Sequence, residues 1–316
     1  MNNKIEALGV DIGGTSIKAA FVDEQGNLSG QFVVPVDLNL TQDELLGLVV
    51  KQAKEAVKEH PGCIGIGIGC PGAINPEKGT CDYSNNLHWR NLHVVEAFQK
   101  EIPLPAYIEN DANAALLGDV QFGVGKNYKN IIFITLGTGV GGGILINGEI
   151  YSGNEGKGAE LGHICIQING NKCGCGRRGC LETYASASAL LKQTKVAMEK
   201  DKSSLMWEYT NYDINNVNGL TSFECAKKGD KTANEVIDKY IMHLGEGMLD
   251  FCNIFRPQVF VIGGGISNQD KYLTDKLQNY LEKQNYGYLS APKSIVKVAS
   301  LKNDAGIIGA ASLFLE

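Results

Sequence analysis

The chain has 316 residues, 43% of them hydrophobic, enough to bury a sizeable core and long enough for two domains. Its formal net charge of −6 offers no broad cationic surface for a phosphate backbone, which argues against nucleic acid as a main partner. Met1 to Glu6 lacks the charged-then-apolar pattern of a secretory signal, and the apolar runs fall far short of the roughly 20 residues that a spanning helix needs. A soluble, cytoplasmic protein without a membrane partner is therefore expected.

The opening reads as strand, glycine turn, strand. Ala7 to Val10 is apolar, Asp11-Ile-Gly-Gly-Thr15 forms the turn, and Ile17 to Val22 is apolar again. The polar turn Gln25-Gly26-Asn27 then leads to a third strand near Gln31 to Val36, completing an antiparallel meander. Thr41 to His60 has helical periodicity, with Leu45, Leu48, Val49, Ala53 and Val57 on one face, and Thr41 with Glu44 fits a capping box. Gly62 to Gly69 reads as a buried strand. Ala106 to Ile108 is a strand ending in Glu109-Asn110-Asp111, and Ala112 to Leu117 is helical in composition. Ile131 to Leu136, the turn Gly137-Thr-Gly-Val-Gly-Gly-Gly143 and the extended Ile144 to Ile146 repeat the opening device. Two related lobes follow from this, each presenting a glycine turn and a threonine, Thr15 or Thr138. Toward the C-terminus come a long helix over Lys231 to Phe255, a strand at Val259 to Ile262, Gly263-Gly-Gly265, a helix from about Asn268, and a last helix over Asp304 to Leu315.

Glycines in such turns let backbone N–H groups approach an anion, though the same residues also serve plain hairpins. A carboxylate beside a phosphate cradle needs an intervening cation, so Asp11 reads as a Mg²⁺ partner. Gly137-x-Gly139-x-x-Gly142 satisfies the dinucleotide-binding pattern, yet it is followed by a strand rather than a helix, which argues against NAD. Asp111, at a strand-to-helix junction, fits either a helix cap or a rigidly held general base. His163, Cys173, Cys175 and Cys180, spaced by ten, two and five residues, offer a closed tetrahedral set suited to structural Zn²⁺. The other six cysteines, Cys63, Cys70, Cys81, Cys165, Cys225 and Cys252, read as buried thiols.

Asp11-Ile-Gly-Gly-Thr15, Glu109-Asn-Asp-Ala-Asn113, Leu136-Gly-Thr-Gly-Val-Gly-Gly-Gly143 and the cysteine cluster together resemble the ROK (repressor, open reading frame, kinase) family, over essentially the whole chain. The resemblance implies an α/β, two-lobed actin-like, ribonuclease-H-like ATPase fold with an interlobe cleft, and ATP-dependent transfer of the γ-phosphoryl group to the 6-hydroxyl of a hexose. Glucose leads, with N-acetylmannosamine, allose and other hexoses as alternatives. By the same resemblance Asp111 is the base; Asn110, Glu160, His163 and Glu182, with Gly72 and Asn86 beside them, hold the sugar; and Asp11, Gly13, Gly14, Thr15, Lys18, Thr138, Gly139, Gly264 and Gly265 border the nucleotide and its Mg²⁺. His163 then serves zinc through one ring nitrogen and the sugar through the other. The expected lobes are 1–110 with 302–316, and 111–301 carrying zinc; a homodimer is the family-level expectation. Repressors of the family carry a helix-turn-helix ahead of the sugar-binding body, whereas here the phosphate motif starts at residue 11, so a regulator is the rival reading rather than the first.

Overall fold

The computed structural model describes residues 5–284, 286 and 290–315; the polar residues 1–4 of the N-terminal reading lie outside them. Among the described residues the chain forms two five-stranded sheets, which share one order, and a three-stranded sheet. The first sheet runs Leu28–Pro35, Ser16–Asp23, Glu6–Ile12, Cys63–Cys70, Ala106–Asn110. Its first three strands are the antiparallel meander and the last two add in parallel. The second sheet runs Glu149–Ile150, Val140–Ile146, Ile131–Leu136, Val259–Gly263, Ile295–Val298, with the same sequence of hairpins followed by parallel additions. The duplication read from the two glycine turns is therefore a duplication of whole sheets.

Contacts divide the chain into two compact units, residues 1–129 with 143–159 and 300–316, and residues 130–142 with 160–299. This division falls elsewhere than the boundary expected after residue 110. Helix Asp111–Phe122 stays with the first unit because it packs on the C-terminal helix Ala305–Ala311, which in turn lies on the first sheet. Strand alternation explains how the sheet takes helices on both faces. Leu8 and Val10 point to the side where Leu45, Val49 and Phe98 of helices Gln42–Glu59 and Val94–Glu101 are buried, while Ala7 and Gly9 face Ile307, Ile308 and Ala311. The approach on that second side is so close that a Cβ on Gly9 would sit 2.0 Å from the Ile307 carbonyl oxygen.

Helix Gln42–Glu59 begins at Thr41 with both halves of the capping box made, the Thr41 side chain accepting from the Glu44 N–H and the Glu44 carboxylate accepting from the Thr41 N–H at 2.8 Å. In the second unit Ile131–Leu136 and Val259–Gly263 are almost wholly buried, as central parallel strands must be. Helix Lys231–Phe255 buries Val236, Tyr240, Leu244, Met248 and Phe251 along one stripe and ends on Arg256 in the left-handed conformation. Two expectations are corrected here. The second glycine turn is only Gly137-Thr138-Gly139, since the strand already begins at Val140 and carries Gly141 to Gly143 within it. The helix placed from Asn268 is a 3₁₀ turn, Gly265–Gln269, and the α-helix proper is Lys271–Gln284. Among the described residues no helix is long and apolar enough to cross a membrane.

Candidate active site and metal centre

In the first unit the strand Glu6–Ile12 delivers Asp11 to the glycine turn, in register with Lys18 across the hairpin and with Gly69 on the parallel side. Gly13 closes that turn through its N–H to the Ser16 carbonyl at 3.1 Å, and Gly14 and Thr15 are exposed at its tip. Asn86 lies against the same turn, its Cβ 3.6 Å from where a side chain on Gly14 would begin. Gly69 pairs with Glu109 on the next strand, so one row of residues runs Asp11, Gly69, Glu109 across three strand ends, with Asp111 two residues further on.

Asp111 is the first residue of helix Asp111–Phe122, and its carboxylate accepts from the Ala112 N–H at 2.9 Å. Burial raises its pKa, and this hydrogen bond offsets part of the rise. Asp11 is raised to about 6, first by burial, then by the charge of Asp111, with Lys18 pulling the other way. Two desolvated carboxylates with one nearby lysine form an anionic centre that a divalent cation would neutralise, and the hard oxygen donors suit Mg²⁺.

The two readings of the Asn110-Asp111 pair are divided between the residues. Asn110 takes the cap: its Oδ1 accepts from the N–H groups of Ala112 and Asn113, while its Nδ2 donates to the Gly72 carbonyl at 3.3 Å. Asp111 shares only the Ala112 N–H with it. Behind them stand Glu109 and Asn113, to which the sequence alone assigns no role. Glu109 Oε1 accepts from the Asn110 N–H at 2.8 Å and from Asn113 Nδ2 at 3.0 Å, so the motif Glu109-Asn-Asp-Ala-Asn113 is a hydrogen-bonded frame around Asp111. The available signal was the run of polar residues at 109, 110, 111 and 113 across the strand-to-helix junction.

In the second unit Glu182 opens the short helix Glu182–Ala185, and its Oε2 accepts from the Val140 N–H at 3.2 Å, just after the Gly137-Thr138-Gly139 turn. A side chain at Gly139 would put its Cβ 2.2 Å from that oxygen, so glycine there is what lets the carboxylate reach the backbone. Gly264 lies beside the same turn with φ +80°, its missing side chain making room for the Leu136 carbonyl, and Gly265 follows with open space around it. Thr138 and Glu160 are exposed, and His163 ends the 3₁₀ turn Leu161–His163.

His163, Cys173, Cys175 and Cys180 come together with all their donor atoms within 4.8 Å of one another. Tetrahedral zinc, with Zn–S about 2.3 Å and Zn–N about 2.0 Å, places neighbouring donors about 3.6–3.8 Å apart. Cys173 Sγ stands 3.6 Å from His163 Nδ1, and Cys175 Sγ stands 3.7 Å from Cys180 Sγ. The set fits the ion in both chemistry and spacing. Without a cation, burial pushes the Cys173 thiol up to about 12, whereas the Arg177 N–H lowers Cys175. His163 Nδ1 faces the sulfurs, which leaves Nε2 for another partner, and Glu182 Oε1 lies 3.6 Å from Cys173 Sγ. The cluster and the glycine turn thus share one carboxylate. All nine cysteines are free, but Cys165, expected to be buried, is exposed. It bridges antiparallel to Cys180 at the rim of this loop, and its Sγ meets the Arg178 carbonyl.

The ROK family model matches residues 7–316. A glucokinase of Streptomyces coelicolor is 34% identical over 311 residues, covering 98% of this chain and 97% of that protein. The xylose repressor of Bacillus subtilis is 29% identical, covering 98% of this chain and 77% of its own length. Among solved structures, a ROK family glucokinase from Streptomyces griseus in complex with glucose and AMPPNP superposes with a TM-score of 0.85 at 32% identity, covering 98% of each chain. The duplicated sheets are those of the actin-like ATPase fold. With the family model spanning nearly every residue and the glycine turns, the Glu109–Asn113 frame and the cysteine cluster all in place, this chain belongs to the ROK family.

Proposed function

We propose that the chain is an ATP-dependent hexose kinase with glucose as its first substrate, in which Asp111 takes the proton from the attacking 6-hydroxyl. The buried Asp111 carboxylate carries the reading. A base whose pKa is raised toward the working pH is a better proton acceptor, and its place on the first turn of a helix fixes it in direction. Phosphoryl transfer asks little else of a protein than positioning and neutralisation of charge. Asp11 is the partner of the Mg²⁺ that travels with ATP and offsets phosphate charge. Gly13, Gly14, Thr15, Lys18, Thr138, Gly139, Gly264 and Gly265 serve the nucleotide through backbone N–H groups, hydroxyls and one cation.

The sugar is read by donors and acceptors in alternation. Asn110 keeps one Nδ2 hydrogen beyond its bond to Gly72, Glu160 and Glu182 accept from hydroxyls, and His163 donates through Nε2. Gly72 and Asn86 complete the set. Zinc held by His163 Nδ1, Cys173, Cys175 and Cys180 fixes the imidazole tautomer, so Nε2 carries the proton. A cytoplasmic homodimer belongs to the same reading.

The likeness to a xylose repressor favours a second reading, a sugar-responsive regulator on the same body. A coupled assay of ATP-dependent phosphorylation over a panel of hexoses separates the two. Turnover with glucose supports the kinase, and sugar binding with no turnover on any hexose would sink it.

A further inference from the structure

The second unit holds a cavity of about 840 Å³ lined by none of the residues given a role above. It lies along the helices Ala187–Lys200 and Lys231–Phe255 and the loop 167–172. Its size is that of a small-molecule site. Five cations line it, Lys172, Arg178, Lys192, Lys200 and Lys239, against the two carboxylates Asp201 and Glu235. In a chain of net charge −6 this is a local reversal of sign.

The carboxylates do not neutralise the cations. Asp201 accepts from the hydroxyls of Ser203 and Thr232, each at 2.6 Å, and Glu235 stands 4.0 Å from Lys231, outside the cavity. The polar segment after Asp201 holds this corner in place, since Trp207 Nε1 donates to the carbonyls of Met198 and Asp201 at 2.9 and 3.2 Å. Among the described residues none of the five cations forms an ion pair.

Two lining residues carry buried polar atoms without a partner, His243 Nδ1 and Gln193 Oε1. His243 is only 9% exposed, its ring packed on Tyr184 at 4.8 Å, and Gln193 is held by its Nε2 bond to the Tyr184 carbonyl at 2.9 Å. Buried groups of this kind are seldom left unmatched. Gln193 Oε1 can only accept, so a bare anion leaves it unmatched; a hydroxyl supplies the donor it lacks.

We propose that this cavity is a second ligand site that takes a phosphorylated polyol, its phosphate held by the lysines and Arg178 and its hydroxyls by Gln193 and His243. The proposal stands apart from the kinase reading, because it is measured as binding while turnover is measured separately. The test is calorimetry on the full chain with glucose 6-phosphate, inorganic phosphate and glucose as probes, comparing wild type with Lys192→Glu/Lys239→Glu and with Gln193→Met. Wild type is expected to bind one equivalent of glucose 6-phosphate that is salt-sensitive, at least tenfold tighter than inorganic phosphate and not displaced by glucose, in addition to any equivalent held as product at the proposed kinase site. The double charge reversal, at exposed positions, should weaken that event at least tenfold with unchanged turnover and melting temperature. Gln193→Met should weaken glucose 6-phosphate but not inorganic phosphate.

The absence in wild type of a salt-sensitive glucose 6-phosphate event that glucose does not displace, or its survival in the double variant at wild-type affinity, overturns the proposal. So does equal affinity for inorganic phosphate, which would mean a plain anion site. If charge reversal instead converts a dimer to a monomer, the cavity is covered by a second copy and the proposal falls.

Discussion

Replacing Asp11 by asparagine should make the protein more stable and less active at once. The Asp11 carboxyl is raised from 3.8 to about 6, first by burial and then by the charge of Asp111. The folded chain therefore binds more protons than the unfolded one between those values, and stability falls as pH rises through that window. Above pH 6 the full penalty is present, about 3 kcal/mol at 1.36 kcal/mol per tenfold change in proton affinity. The isosteric amide carries no charge to desolvate. Asp11→Asn should therefore raise the melting temperature at pH 7 by roughly 4–5 °C, and the difference should shrink toward zero near pH 4. Kinase turnover should fall by about 10²-fold or more, because the proposed Mg²⁺ partner is gone. Differential scanning calorimetry from pH 4 to 8, paired with the coupled assay, reads both. A melting difference that does not change with pH, or a variant that turns over normally, would refute the reasoning.

Asp111→Asn should lower kcat by roughly 10²–10⁴-fold while glucose affinity, measured by calorimetry, changes little; comparable losses in both would indicate a binding residue instead. One zinc per chain is expected by mass spectrometry. Cys175→Ser and Cys180→Ser should lose it, with a melting temperature lower by roughly 5 °C or more; a chain that purifies metal-free and melts like the variants would contradict the centre. Gly139→Ala must displace the Glu182 carboxylate from the Val140 N–H, since its Cβ would lie 2.2 Å from Oε2. The moving group is the end of a flexible side chain, so stability should change by only about 1 kcal/mol. KM for the sugar should rise several-fold, and an unchanged KM would remove Glu182 from the sugar site.

What was legible in the sequence followed the strength of each local signal. The meander, the capped helix Gln42–Glu59 and the long helix Lys231–Phe255 were legible because period and caps agree over many residues. The short strands Ala73–Asn75, Thr80–Ser84 and Trp89–His93 were not, since three to five residues are too few for a period to show. The run of glycines to Gly143 concealed the true turn, because Gly141 to Gly143 look like loop in composition yet lie inside a strand. For the metal centre, spacing alone suggested four ligands, and folding brought them to zinc-like distances. The cavity beside His243 was invisible, since its five cations are scattered from Lys172 to Lys239 and meet only where two helices and the loop carrying Lys172 and Arg178 come together.

The environment of Asp11 is set by residues almost three hundred positions away. Gly306, at the start of the C-terminal helix Ala305–Ala311, lies so close that a Cβ there would come 2.6 Å from the Asp11 carboxyl carbon. The helix can approach only because Gly9 faces the Ile307 carbonyl without a side chain of its own, and because Gly309 lets Ala114 of the Asp111 helix come equally near. The same contacts that make the last helix part of the first unit thus strip water from one carboxylate and brace the helix that bears the other. Burial that costs stability at Asp11 is what makes a bound cation worth more there, because a charge interaction strengthens as water is excluded. The two aspartates are therefore tuned by one packing arrangement, and no residue of the glycine turn itself could have supplied it.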